Sequence, residues 1–586
     1  MPDSQSTSLS SHRWSYEALP ETKVREMQDR WRLHPLLAEL LFRLDIGSED
    51  DVKQFLEPRL KNLSDPFELG NLRAAAERVV AATNKKEKIV VLGDYDVDGV
   101  TSTAFMVAFL RALGADPSYF VPLRMEEGYG MSRSALERIL AEGEPPQLFI
   151  AVDCGTNSTE EVAFLREQGV DVIILDHHRS KESTPEDCLL VNPFLDENTD
   201  QPWTSLCSAG LVFKLAHGIL KYLREIGDDR GNQIDVREFL DLAAMGTIAD
   251  MVPLRQENRI LARHGLKGIA EGCRPGLKAL LEASGLRENT PLRPSDISFR
   301  VGPRINASGR LADASLPVDM LLSEDDAFCR KIAKQLNDFN AERQSIERQI
   351  VREAEAQLHS DPVPAGIVLF NDGWHPGVVG IVSSRLSRKY MRPTIVLGWE
   401  GEFAKGSGRS VPGLSLVKVL EQCDDLLENW GGHPQAVGVA VKRENVEAFQ
   451  KRFAQIVNDT LQGVFPEPEL QLAGWVSVND LEEHLFFDLD RLNPFGIGNE
   501  EPIIGIKDVV LQRPPKIFAE KHFRFTLHNR SGLAMQGVAW KLAERLPPLN
   551  QPLEMACRLS LNHYRDKIYR QLEVIDWRPQ NPPDTM

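Results

Sequence analysis

Three aspartates at alternate positions, Asp94, Asp96 and Asp98, follow the apolar run and glycine of "VVLGDYDVDGVTST" at 91–104. Carboxylates this close repel and raise one another's pKa unless a positive charge sits among them. A second acid, Asp153, closes the run "QLFIAVDCG", and a third, Asp176, closes "VDVIILDHH", where His177 and His178 follow at once. Asp250 stands in "GTIADMVPL". Any one of these aspartates would serve equally as a helix N-cap or a turn residue. Three strand ends carrying acids together, one tripled and one backed by two imidazoles, hold more negative charge than capping needs. Carboxylates with one or two imidazoles suit manganese or magnesium better than a structural zinc, which favours thiolates. Five or six acids exceed what one ion requires, so two ions sharing a bridging carboxylate is the expected count. Paired divalent ions polarise a phosphoryl group, acidify a water and stabilise a leaving oxygen. Neighbours in an extended segment point to opposite sides. His177 is therefore assigned to metal and His178 to the scissile phosphate or the leaving oxygen.

The elements that must position these groups follow from the apolar pattern. The runs at 88–93, 147–152 and 170–175 are short, mostly apolar and separated by helical stretches, which implies βαβ units and a parallel sheet. Ligands of such sheets bind beyond the carboxyl ends of the strands. Three strands then deliver acids to one edge, and Asp250 is expected to add a further group there.

The chain has 586 residues, enough for several cores, and its 42% hydrophobic and 26% charged content is that of an ordinary globular protein. A net charge of −18 excludes a protein that coats nucleic acid through bulk positive charge, but not an enzyme with a local basic cleft. Seven scattered cysteines without a CxxC pair fit reduced thiols in a cytoplasm. The polar start lacks a signal core, and nothing approaches a membrane span.

The expected organisation is a leader at 1–65 with one helix around 34–46, a parallel-sheet catalytic domain at 66–322 and a long connecting helix at 323–360. A smaller α/β domain at 361–462 and a β-barrel at 463–586 follow, the latter reached through the Pro-containing "GVFPEPEL". The long helix carries Phe328, Ile332, Leu336, Phe339, Ile346 and Ile350 on one stripe. It would extend about 50 Å and could bridge two domains.

"GDYDVDGVTSTA", "AVDCGTNS", "LDHH" and "GTIADMVPL", in that order, resemble the four motifs of the DHH phosphoesterase superfamily. "GWHPGVVGIVSSRL" (373–386), "AKGSGRS" (404–410) and "GGHPQAVG" (431–438) resemble its DHHA1 partner domain. "RVGPRINASGRL" (300–311) and "NPFGIGNEEP" (493–502) complete the pattern of its single-stranded-DNA-specific exonuclease branch, over about 65–575. The resemblance implies an OB-fold for the C-terminal β-unit, metal ligands at Asp94, Asp96, Asp98, Asp153, His177 and Asp250, a bridging role for Asp153, and Asp176 as the group that orients the histidines. It implies a two-metal, Mn²⁺- or Mg²⁺-dependent 5′→3′ exonuclease that releases 5′-mononucleotides in DNA recombination and repair. Expected partners are a single strand with a 5′ end, single-strand-binding protein and a helicase; no membrane is involved, and a monomer is the default.

Substrate choice must come from positive and hydrogen-bonding groups elsewhere. "AKGSGRS" combines close-approach glycines with Lys405, Ser407 and Arg409, although its composition reads equally as a surface loop. The resemblance makes Ser407, Arg409, Arg304 and Arg310 holders of the terminal 5′-phosphate. Arg124 is a candidate for gripping the strand, and His433 for contacting the phosphate being cut. Phe523 and Phe525 share one strand face and read as core before they read as a stacking platform. Two other readings remain open: a phosphodiesterase for cyclic dinucleotides or short oligonucleotides, and a non-catalytic DNA-binding replication scaffold.

Overall fold

The computed structural model describes residues 12–580, apart from 123–129, 142, 181–182, 196–199, 273, 287–290, 359–362 and 565–566. Arg124 lies outside the described residues. Among the described residues no helix is long and apolar enough to cross a membrane.

The three apolar runs form strands β1 (Ile89–Leu92), β3 (Leu148–Val152) and β4 (Asp171–Leu175). Two three-residue strands, β2 (Ser118–Phe120) and β5 (Leu189–Val191), complete a five-stranded sheet. Its order is β2-β1-β3-β4-β5 and every pairing is parallel. Chain direction across the sheet therefore reverses between β1 and β3. Crevices at such reversals are where α/β sheets bind ligands. Helices Val97–Ala112, Ser208–Glu225 and Leu240–Ala249 bury one face of the sheet in the largest hydrophobic core. Sheet coverage by helices is what permits strands with no exposed face, and β1 and β3 are buried throughout.

The long helix runs from Asp326 to Gln357. Cys329, Ile332 and Leu336 near its start join the first core, while Ile350, Val351 and Ala354 near its end join a core of the second unit. It is a bridge built from one stripe. The second unit holds β6 (Ile367–Asn371), β7 (Thr394–Glu400), β8 (Phe403–Arg409), β9 (Asn429–His433) and β10 (Ala436–Lys442), in the order β9-β10-β8-β7-β6. "AKGSGRS", whose glycines suggest a loop, is the middle strand β8. A Cβ on Gly406 would lie 1.9 Å from the Val396 carbonyl oxygen, so glycine is what lets the strands approach there.

The C-terminal unit is a seven-stranded, mostly antiparallel sheet. Phe523 is fully buried and Phe525 nearly so, and both belong to its core rather than to a stacking surface. That core also takes in Met27, Leu37, Leu41, Phe55 and Leu56 from the N-terminal helices Glu21–Trp31, Pro35–Arg43 and Glu49–Leu56. Strand Arg13–Tyr16 pairs in parallel with Glu469–Leu472. The segment from Arg13 to Leu56 is thus packed onto the C-terminal unit.

Candidate metal centre

Each acid reaches the crevice for a local reason. Asp94 stands two positions beyond the end of β1, after Gly93, and is wholly buried. Asp96 is the N-cap of helix Val97–Ala112, its Oδ1 accepting from Gly99 N at 3.1 Å. The capping role and a place in the cluster coexist in this residue. Asp98, in the first turn, accepts from Ser208 N at 2.7 Å and Ala209 N at 2.9 Å, so it answers the free amides at the start of a second helix, Ser208–Glu225. Helix Leu240–Ala249 presses on it through Gly246, where a Cβ would come within 2.5 Å of Asp98 Oδ1.

Asp153, at the end of β3, has φ +63°, a left-handed conformation that aspartate tolerates better than most residues. Departures of this kind gather at functional sites. Its Oδ1 accepts from Ser208 Oγ at 3.1 Å. Asp176, at the end of β4, accepts from Thr156 N at 2.9 Å, His177 N at 2.8 Å and His178 N at 3.2 Å, and its Oδ1 is 2.7 Å from His178 Nδ1. Asn192, just after β5, donates to His178 O and Thr156 Oγ1 and locks this loop. Asp250 comes not from a strand but from the C-terminal end of helix Leu240–Ala249.

The side chains converge in three overlapping groups: Asp94, Asp96 and Asp153; Asp98, His177 and Asp250; and Asp153, His177 and His178. Within each group the ligand atoms lie within 4.8 Å of one another, and Asp153 belongs to two of them. His177 Nε2 stands 3.4 Å from Asp153, 3.5 Å from Asp250 and 3.8 Å from Asp98. His178 pairs instead with Asp176, although its ring centroid is only 4.9 Å from that of His177. Partner, not distance, separates the two imidazoles.

Burial pushes the Asp98 and Asp153 carboxyls upward, Asp153 well above the ordinary range, and for Asp153 the charges of Asp98, Asp96 and Asp94 add to it. Burial and the neighbouring Asp98 push Asp250 up to about 8. Burial lowers His177. Burial opposes the charged form of His178 too, but its bond to Asp176 prevails and raises it to about 9. Asp176 is held below the usual carboxylate range by the same pair and by Thr156, against the effect of burial.

His177 Nε2 and Asp250 Oδ2 are both buried without a hydrogen-bond partner, though only 3.5 Å apart. Two acceptor-rich atoms turned toward a common point, among carboxylates that cannot all ionise, fit a cation between them. Oxygen donors with one or two imidazole nitrogens are a set for Mn²⁺ or Mg²⁺. The residues present fit divalent ions of this kind.

The remaining candidates lie toward the second unit. Helix Gly302–Leu311 touches both: Gly309 packs against Tyr95 inside the aspartate run, and Arg310 Nη1 donates to Gly377 O at 2.6 Å, at the start of helix Pro376–Tyr390. Ser407 and Arg409 share one face of β8 and look at the same helix across Gly380, where a Cβ would lie 3.2 Å from Ser407 Oγ. Burial lowers the Arg409 pKa. Arg304 bonds Asn337 of the long helix at 3.1 Å. Lys405 and His433 are exposed. His433 sits in the β9–β10 hairpin, in register with Ala436 and through it with Arg409. Ser208, Ala209, Thr156 and Asn192 are the functional neighbours that motif reading misses. The serine at the head of the apolar run after "TSLC" is their one sequence signal, and it reads only as an N-cap.

Comparison with known proteins adds three matches along the chain: the DHH family N-terminal domain over 88–247, the DHHA1 domain over 364–459 and the RecJ OB domain over 473–576. The single-stranded-DNA-specific exonuclease RecJ of Bacillus subtilis (strain 168) is 34% identical over 576 residues, covering 97% of this chain and 71% of its own. The crystal structure of RecJ in complex with Mn²⁺ from Thermus thermophilus superposes with a TM-score of 0.80 at 31% identity, covering 98% of this chain and 80% of that one. The Mg²⁺ complex from the same organism gives 0.74 at 29%, covering 98% and 79%.

Proposed function

The chain belongs to the RecJ exonuclease family, and from that membership we propose that it is a metal-dependent exonuclease specific for single-stranded DNA, working from the 5′ end and releasing 5′-mononucleotides. The observation that carries the reading is the convergence of Asp94, Asp96, Asp98, Asp153, His177 and Asp250 at one sheet reversal, with Asp153 common to two ligand groups. These six residues would hold two divalent ions, Mn²⁺ or Mg²⁺. Bound there, the pair supplies an acidified water and charge stabilisation at the phosphoryl and leaving oxygens.

The chain's own groups do the rest. Asp176 fixes the His178 ring at 2.7 Å and keeps it cationic at neutral pH, suited to donate to a phosphate oxygen. Ser208 and Ala209 hold Asp98 by its oxygens, and the Ser208 hydroxyl steadies Asp153, so neither carboxylate has to reorganise when charge develops. Ser407, Arg409 and Arg310 gather at the start of helix Pro376–Tyr390, where backbone amides and guanidinium groups favour a terminal phosphate. Arg304 lies on the same helix as Arg310, and His433 contacts the phosphate from the hairpin side.

Helices Gly302–Leu311 and Asp326–Gln357 bridge the two units, and the reading has one strand pass between them while a duplex is sterically excluded. The same reading sets the protein in recombination and repair, fed by a helicase, alongside single-strand-binding protein, and as a monomer.

Incubation with 5′-labelled single strands, with and without Mn²⁺ or Mg²⁺, tests it. Labelled mononucleotide as the first product, metal dependence and a spared blunt duplex are expected. Binding without cleavage would leave the scaffold alternative, and equal digestion of duplex would remove steric exclusion.

A further inference from the structure

Strand ends fix Asp94, Asp153 and His177 through the sheet, but Asp250 leaves a helix terminus into the irregular segment 251–255, which begins with Met251 at φ +61°. What holds that segment is a run of three consecutive buried polar residues on the next helix, Gln256–Glu271. Glu257 accepts from Ser64 N at 2.7 Å and from buried Lys214 Nζ at 3.1 Å. Arg259 donates only to main-chain oxygens: Phe55 O at 2.8 Å, Asn493 O at 2.8 Å, Arg491 O at 3.1 Å and Pro494 O at 3.3 Å. Phe55 lies in the last turn of one helix and Arg491 caps another, so helix C-termini supply the negative charge that no carboxylate provides.

Between these anchors stands Asn258, whose backbone they leave little freedom. Its Nδ2 donates to Pro253 O at 3.1 Å, behind Asp250, and to Ser205 O at 2.6 Å and Ser205 Oγ at 3.2 Å. Ser205 is three residues ahead of Ser208, whose amide and hydroxyl hold Asp98 and Asp153. One carboxamide therefore ties the loop that carries Asp250 to the loop that steadies the opposite side of the cluster. The C-terminal unit closes the same segment from outside: Leu254 N donates to Ile497 O at 2.7 Å, and a Cβ on Gly496 would lie 2.6 Å from Leu254 Cδ1.

We propose that Asn258 is a positioning residue for metal binding: the cross-strap that sets the spacing between Asp250 and the Asp98–Asp153 side, with the 496–497 loop as its outer brace. The proposal rests on the metal-holding reading of the site and adds the group that tunes it. Without the strap, Asp250 retreats along a loop that its own φ/ψ does not fix, and the pocket for cation opens.

The decisive measurement is an EPR titration of free Mn²⁺ against metal-free full-length protein, with no DNA present. Asn258→Ala is expected to weaken Mn²⁺ binding at least fivefold. Its kcat on single strands should recover to within threefold of wild type once Mn²⁺ saturates. Asn529→Ala removes another buried amide, one that donates to Leu481 O at 3.1 Å, and should lower Tm without moving Mn²⁺ affinity. If circular dichroism shows Asn258→Ala unfolded, Gly496→Ala decides, because its methyl pushes the same loop through Leu254 and should weaken Mn²⁺ binding likewise. Unchanged Mn²⁺ affinity in the folded Asn258→Ala variant, or in Gly496→Ala where that variant decides, overturns the proposal. Weakened Mn²⁺ binding in a chain that cleaves no DNA would sustain the strap and remove the nuclease reading instead.

Discussion

Replacing Asp153 by Asn should make the metal-free protein more stable and the enzyme inert. Asp153 is 2% exposed and shares a group with Asp94 and Asp96 whose ligand atoms lie within 4.8 Å of one another. At that separation and an effective dielectric of about 20, two full charges repel by about 3.5 kcal/mol. Protonation relieves part of this, which is why the carboxyl is pushed so far up, so neutralising the side chain should recover about 1–3 kcal/mol. Asn keeps the carbonyl oxygen that accepts from Ser208 Oγ and tolerates φ +63°, so little else changes. For a unit of this size each kcal/mol moves Tm by roughly 2–4 °C, so in EDTA the variant should melt about 2–12 °C above wild type. Mn²⁺ should close or reverse the gap. At 100 times its Kd a ligand stabilises the native state by about 2.7 kcal/mol, a gain the variant forfeits with the shared ligand. Exonuclease activity should fall at least 10³-fold, about 4 kcal/mol of barrier. Differential scanning calorimetry in EDTA and in Mn²⁺, beside a single-strand digestion assay, reads all three. A variant less stable than wild type in EDTA, or stabilised equally by Mn²⁺, would refute the reasoning.

Above pH 6.5, where His34, His177, His217 and His264, all lowered by burial, have lost their protons in the folded and unfolded states alike, the pH dependence of the metal-free protein should run in one direction. Asp250, raised to about 8, carries protons in the native state that the unfolded chain loses near 3.8, so stability falls as pH rises through that window; His178, raised to about 9, adds a loss in the same direction above 6.5. Tm in EDTA should therefore drop between about pH 7 and 8.5 and flatten in saturating Mn²⁺, and a rising Tm in EDTA over that window would contradict the pKa ordering. Arg409→Ala should cost roughly 10–100-fold in preference for 5′-phosphorylated over 5′-hydroxyl ends, the worth of a charge-assisted contact, with Mn²⁺ affinity unchanged. Competition between the two labelled ends measures it, and an unaltered preference removes Arg409 from the pocket. Phe523→Ala should destabilise the C-terminal unit by about 3–5 kcal/mol while the folded fraction binds single strands as before; a selective loss of affinity would make it a stacking residue after all.

Much of the centre was legible because its signal is local. β1, β3 and β4 are apolar to their last residue, and the acids stand one or two positions beyond, so the sheet edge could be drawn from pattern alone. Asp250 was visible as a residue but not as a helix end, since helix Leu240–Ala249 is buried on every side and has no polar face to mark its period. Ser208 was invisible for another reason: its partner Asp98 lies 110 residues away, and no short-range pattern encodes that meeting. Glu257, Asn258 and Arg259 read as surface from their types, and only contacts with distant segments explain their burial. β8 hid behind its glycines, which depress strand propensity and are required by the closeness of its neighbours. The N-terminal helices carry ordinary amphipathic patterns, but a pattern names a face, not its partner more than 400 residues downstream.

The most direct test of the two-ion centre is the anomalous scattering of manganese in crystals of this protein soaked in Mn²⁺. Two peaks are expected, both bonded to Asp153, one shared with Asp94 or Asp96 and the other with His177 or Asp250. A map with no manganese among these side chains, or with a single ion that does not touch Asp153, would contradict it.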